Sequence, residues 1–188
     1  MNYTEGKTFR KEDFSSVGFI QGEYENCIFE DCDFSGADLS ASLFIDCEFR
    51  GCNLTLLKLY DTVFRDVGFT DCKMQGLQFG QCSGFGLSFS FSRCDLSFCS
   101  FHKLKIPGTV FKECHLKEAD FSLTDLKGAD FSGSDLISAR FEQTNLEKAD
   151  FSDAVNFIID PAINKIKKAR FSASGLAGLL SSYDIVIK

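Results

Sequence analysis

Residues 117–154 read KEADFSLTDLKGADFSGSDLISARFEQTNLEKADFSDA. Taken in fives from Glu118, every block carries one large apolar residue in fourth place, the centre of its repeat unit: Phe121, Leu126, Phe131, Leu136, Phe141, Leu146 and Phe151. Two places before each centre stands a small residue, Ala119, Thr124, Ala129, Ser134, Ala139, Thr144 and Ala149. This period fits neither the helix, at about 3.6, nor the strand, at about 2.0. A repeat this short implies a solenoid.

If each unit supplies one short extended side and one tight turn, four units close a square of about 20 residues, and the squares stack at the β-ladder spacing of about 4.8 Å. Centre and small residue both point inward. Four large side chains fill one storey only if their four companions are small, as they are in these blocks. The Asp or Asn before most centres (Asp120, Asp125, Asp130, Asp135, Asn145, Asp150) is suited to bonding backbone donors at the corners.

Ala119-Asp120-Phe121, Ala129-Asp130-Phe131 and Ala37-Asp38-Leu39 match an A-(D/N)-L-x-x pattern, and over roughly residues 9 to 154 the sequence resembles the pentapeptide repeat family. That resemblance implies an all-β fold, a right-handed quadrilateral parallel β-helix, here with a short C-terminal α-helix.

Composition agrees with a filled, repetitive interior. The chain of 188 residues has 22 Phe and no Trp, which stacked aromatic columns explain without a ligand. All nine cysteines (27, 32, 47, 52, 72, 82, 94, 99 and 114) sit in the slot two before a centre position, Cys82 alone with a glycine, Gly84, in the centre's place. They read as small buried hydrophobes in a reducing cytoplasm, with zinc as the alternative. No close C-x-x-C pair supports zinc. The apolar runs are too short to span a bilayer and the N-terminus is acidic where a signal peptide is not, so the expectation is a soluble, cytoplasmic protein.

Along the chain, Phe9, Phe14 and Phe19 are centres of an irregular first coil with Lys7 and Glu12 in the small slot. A clean frame follows from Gly22 to about Gln81, and residues 20 apart should stack, giving a column Phe9, Phe29, Phe49, Phe69, Phe89. From Phe79 to Phe91 the spacing is 12 where the frame needs 10, so a two-residue insertion lies near 82–90, with Gly84 and Gly86 as its permissive positions. It is either a corner bulge or a functional protrusion. The repeat unit is expected over 1–155, ending near Ala154, and a cap over 156–188. In the cap, Asp160-Pro161 opens a turn, Ala169-Arg170-Phe171 is one last inward block, and Ser172 caps a helix over about 173–182. Ile185, Val186 and Ile187 read as a closing strand.

The net charge of −7 is uneven. Residues 1–50 carry 4 basic and 11 acidic residues, 51–111 carry 6 and 4, 112–155 carry 5 and 10, and 156–188 carry 5 and 2. Cross-coil pairs are expected for Glu30 with Arg50, Asp38 with Lys58, Asp120 with Arg140 and Lys127 with Glu147, each worth roughly 0–1 kcal/mol. Asp130 over Asp150 and Asp13 over Asp33 stack like charges. Such ladders form an acidic cylinder able to enter a basic groove, or simply keep a rod in solution. Catalysis has little basis: His102 and His115 are the only imidazoles, His115 stacks between Asp95 and Asp135, and no phosphate loop or metal-ligand spacing occurs. No catalytic residue, metal or cofactor is expected.

Within the family the chain resembles the quinolone-resistance (Qnr-like) branch, a rod ending in FSASGLAGLLSSYDIVI. This implies a homodimer joined at the C-terminal ends, presenting a DNA-like acidic surface to DNA gyrase or topoisomerase IV and not binding nucleic acid or membrane itself. The candidate acidic surface is Asp33, Asp38, Asp46, Glu48, Asp120, Asp130, Asp135 and Asp150. The candidate dimer contact is Leu176, Leu179, Leu180, Tyr183, Ile185 and Ile187. The other reading is a scaffold or interaction module with an unrelated protein partner.

Overall fold

In the computed structural model, which describes residues 2–183, 185 and 186, the blocks form a right-handed quadrilateral parallel β-helix of about eight turns. Residues 20 apart face each other on all four sides: Phe9 with Phe29 on side one, Asp13 with Asp33 on side two, Asp38 with Lys58 on side three, and Tyr24 with Phe44 on side four. Side one holds a six-stranded parallel sheet running from Thr8–Arg10 to Val110–Lys112, and side four a sheet of four from Asn2–Glu5 to Val63–Arg65.

Sides two and three are held mostly by single bridges, and the reason is local. Asp33, Asp38, Asn53, Asp95 and Asp120 each turn Oδ1 back onto the N–H two residues on, at 2.8–3.3 Å. This withdraws that donor from the ladder and bends the chain at the corner. Where the position holds Ile28, Leu43, Val63 or Val110 instead, a strand of three residues forms. Asp150 is an exception, bonding Ser152 N–H yet pairing in a short strand with Arg170–Phe171.

The interior is stacked aromatic rings. On side one, neighbouring rings run Phe9, Phe29, Phe49, Phe69, Phe91, Phe111, Phe131, Phe151 and Phe171 at 4.6–5.3 Å, all within 17° of parallel. Rings from side three meet them edge-on, as Phe121 meets Phe111 at 80°. The slot two before each centre is buried and does more than save space. Its hydroxyl or thiol donates to the carbonyl of a centre one coil below: Thr62 to Leu39, Thr124 to Phe101, Ser134 to Phe111 at 2.7–2.9 Å, and Cys52 to Phe29 at 3.3 Å. Ser, Thr and Cys therefore serve as small side chains that also satisfy backbone.

At the insertion the register steps from 20 to 22, pairing Phe69 with Phe91, Lys73 with Asp95 and Gln78 with Ser100. The column expected to reach Phe89 thus passes to Phe91, because the two extra residues re-phase everything after them. Phe89 stands in the slot opposite Val67, and with Leu87, also buried, it fills the storey in which side four offers no large centre. Of the two glycines, Gly86 takes the left-handed conformation at φ +70° and Gly84 does not. Phe85, 80% exposed, lies over the Arg65 guanidinium at 5.9 Å.

Two residues after nearly every centre the backbone is left-handed, and 19 of these residues are not glycine. They include Leu56 and Phe98, but no β-branched residue. Gly128 has φ +72° and open space where a Cβ would stand, so Gly128→Val is expected to cost about 1–3 kcal/mol through backbone strain alone. Leu56, 77% exposed, loses little packing as Leu56→Gly, which should gain roughly 0.5–1 kcal/mol. Urea unfolding of the two variants reads both signs, and equal stabilities would contradict the account.

The ends depart from the square. Lys7 and Glu12 are exposed, and Phe9, Phe14 and Phe19 only half-buried; the short helix Phe14–Val17 is capped by Asp13. At the other end register persists beyond Ala154, with Asn145 bridging Lys165 and Phe151 pairing Phe171. In place of one helix over 173–182 the cap is a 3-10 turn Ala173–Gly175, a helix Ala177–Leu180 and a 3-10 turn Ser181–Tyr183, as expected of a Gly- and Ser-rich segment with low helix propensity. Ser172 Oγ does accept from Gly175 N–H. Ile185 and Val186 lie in no strand, and Ile187 lies outside the described residues.

Candidate protein interaction surface

Because rings fill the interior, the exterior is the surface open to a partner, and its four sides carry different charges. The candidate acids do not converge. Glu48, Asp130 and Asp150 are on side one, Asp33 and Asp135 on side two, Asp38 and Asp120 on side three, and Asp46 at the corner between sides four and one. Six of the eight are Oδ1 acceptors for the N–H two residues on. Their first role is to shape corners. Asp130 and Asp150 do stack, and Arg170 pairs with Asp150 above them.

The expected cross-coil pairs are also redistributed. Glu30 takes Arg10 from the coil before it, Arg50 takes Glu48 on its own strand, and Arg93 takes Asp71. Asp38 and Lys58, and Asp120 and Arg140, face each other but form no ion pair, and nor do Lys127 and Glu147, among the described residues. Asp38 and Asp120 each give Oδ1 to their own turn with no ion pair to the facing base, whereas Asp150 bonds its turn through Oδ1 and Arg170 through Oδ2. Lys58 acts on Asp38 by its field, the smaller of the effects, after the Ser40 hydroxyl and N–H, that hold that carboxyl below its usual range.

The most continuous acidic row is on side two, where Asp13, Asp33, Asn53, Lys73, Asp95, His115 and Asp135 stand in register. Asp31, Asp71, Glu113 and Asp153 flank it at the corner toward side one, and Lys11, Lys73, Arg93 and Lys117 are its bases, so acids outnumber bases eight to four. Counting every 20 residues, and 22 across the insertion, would have found it; a tally by sequence segment does not. Hydrogen bonds from Ser15 and Ser16 hold Asp13 below the ordinary carboxylate range, and Arg93 does so for Asp71. Burial works against Asp95, yet bonds from Ser97 and Gln75 and the nearby His115 lower it on balance. The row's surplus amounts to one charge per roughly 8 Å of rod, against one per about 1.7 Å for duplex DNA. Its recognition is therefore local, by spacing and shape as much as by field.

His115 is exposed between Asp95 and Asp135. His102 is half-buried, and its Nδ1 and the Ser122 Oγ are buried without partners. The nine thiols are buried and unpaired by disulfides, five of them (32, 52, 72, 94, 114) in one corner column. Burial pushes Cys47, Cys82 and Cys99 up to about 12. Among the described residues no group of His, Cys, Asp or Glu is placed to hold a metal ion, and no helix is long and apolar enough to cross a membrane.

Of the candidate dimer residues, Leu176, Leu180, Tyr183 and Ile185 are exposed. Leu179 instead packs against the core.

Two solved structures share this architecture over their whole length. A trypsin-treated variant of QnrB1, a plasmid-mediated fluoroquinolone resistance protein, matches with a TM-score of 0.66 at 19% identity, covering 100% of both chains. A second trypsin-treated QnrB1 variant matches with a TM-score of 0.58 at 19% identity, covering 99% of this chain and 98% of that one. No curated protein matches the sequence. The family model for the pentapeptide repeat region matches residues 23–89 and 85–151, the same coils whose centres stack in the core, and the chain belongs to the pentapeptide repeat family.

Proposed function

We propose that the protein is a non-enzymatic binding protein whose acidic side two docks into the DNA-binding groove of a type II topoisomerase, gyrase or topoisomerase IV. The observation that carries this is the in-register row from Asp13 to Asp135 with its flanking corner acids. A basic groove responds to the charge and spacing of whatever enters it. The resemblance to the quinolone-resistance branch and the fold shared with QnrB1 support the choice of enzyme. In the same reading, rods join at their C-terminal ends through Leu176, Leu180, Tyr183 and Ile185, which are exposed there.

The protein itself offers a clean test. Asn53 and Asn145 already make the corner bond that aspartates make elsewhere, so Asp33→Asn, Asp95→Asn and Asp135→Asn together remove charge and keep the turns. The parent is expected to alter gyrase supercoiling, with or without a fluoroquinolone, and to lose at least about tenfold in affinity between about 50 and 200 mM salt. The triple variant should keep the parent's melting temperature and lose most of the effect. Supercoiling untouched by the parent, or a variant as active as the parent, would remove this reading in favour of an unrelated protein partner.

A further inference from the structure

Side four is divided along its length. Two rows stand in register on it, one running Tyr3, Glu23, Leu43, Val63 and the other Glu5, Glu25, Ile45, Arg65. Beyond the insertion the first continues as Lys105, Asp125, Asn145, Lys165. The half before Phe85 carries Glu5, Glu23, Glu25, Asp46 and Asp66 against Arg65. The half after it carries Lys105, Lys127, Lys148, Lys165, Lys167 and Lys168 against Asp125 and Glu147. None of the residues in either half forms an ion pair within the chain, among the described residues; four of the five pairs present lie on side one or its corner or join the two. Isolated from opposite charge, such halves are costly to leave apart at low salt and ready to meet a complement.

The geometry points to a second copy of this chain as that complement, laid antiparallel along side four with the two-fold axis at Phe85. Four storeys lie on either side of Phe85, so the operation matches them storey to storey: Glu5 meets Lys165 and Lys167, Glu23 and Glu25 meet Asn145, Glu147 and Lys148, Asp46 meets Asp125 and Lys127, and Asp66 meets Lys105. A two-fold interface must be complementary to itself, and a surface split into equal and opposite halves is so under that rotation. The 80% exposed Phe85 meets its own copy at the axis, beside Arg65. This is the one large aromatic side chain most open to water, at the centre of the surface, where buried anchors contribute most. The acids of side two face away and stay free, and the C-terminal end contact is separate and apolar.

A charge exchange tests it. One variant reverses the basic half, Lys148→Glu, Lys165→Glu and Lys167→Glu; the other reverses the acidic half, Glu5→Lys, Glu23→Lys and Glu25→Lys. At about 50 mM NaCl, light scattering after size exclusion should give each variant half the parent's mass, an equimolar mixture of the two should restore it, and about 500 mM NaCl should halve the parent's own. Restoration requires both variants to be folded, so it separates lost pairing from lost structure. The C-terminal contact survives both reversals and accounts for any salt-resistant association that remains. A parent whose mass is the same at both salts, variants that keep the parent's mass, or a mixture that stays at half mass would each overturn the proposal. Supercoiling assays are independent of the outcome, because side two is unchanged.

Discussion

Phe111→Ala is expected to destabilise the protein by about 3–5 kcal/mol, and to uncouple the rod on either side of it. Phe111 is fully buried, between the ring faces of Phe91 at 5.3 Å and Phe131 at 5.0 Å, with Phe101 and Phe121 edge-on at 5.5 Å. Ladder bonds above and below fix the spacing of the storeys, so the coil cannot close over the hole, and the cavity term is felt in full. In a solenoid each storey contacts only its neighbours, which makes one empty storey a break in the chain of interfaces. Urea unfolding followed separately by an N-terminal and a C-terminal probe should show lowered stability and two midpoints where the parent has one. Phe111→Leu should lose about 1–1.5 kcal/mol and stay cooperative. A loss under about 1 kcal/mol for the alanine variant would mean that the stack is not what holds the storeys together.

Gly178→Ala is expected to release the C-terminal cap. The cap helix lies glycine-down on the last coil: a Cβ at Gly178 would overlap the Phe157 carbonyl oxygen, and one at Gly175 would overlap the Phe157 ring. The Ile159 N–H donates to the Gly178 carbonyl at 3.0 Å across the same contact. Moving the helix outward by the width of a methyl group breaks that bond and uncovers Phe157 and Ile159, both buried now. A cost of about 2–3 kcal/mol follows from overpacking and the lost bond together. Hydrogen exchange should accelerate over 172–180 with the coils before Ala154 unaffected, and proteases should cut after Phe171. Unchanged protection in the cap would show that the helix tolerates a methyl group here and is not seated as described.

Much of this was legible from residue order. Phe121, Leu126 and Phe131 five apart, with Ala119, Thr124 and Ala129 two places ahead of them, already define a storey. Eight of the nine cysteines could be placed inside by the same count, Cys82 preceding Gly84 being the exception, and Asp120 or Asp130 could be read as a corner-former. The acidic surface was less legible. Asp33 and Asp38 are neighbours in sequence but turn up on adjacent sides, whereas Asp13 and Asp95 are distant in sequence and share one. The distinction depends on the two-residue step before Phe91, which re-phases every later coil. Ion pairing was least legible of all, because register puts Lys58 beside Asp38 and Arg140 beside Asp120 but does not set whether the side chains meet.

By itself the sequence determined the square column and its contents: a five-residue period leaves each residue one side and one direction, and only small slots beside large centres fill the space. The tertiary structure alone decided which charges became neighbours and where the column closes. Those depend on the register across the insertion, on carboxylates committed to corners, and on the fit of Gly175 and Gly178 against Phe157, none of which the period encodes.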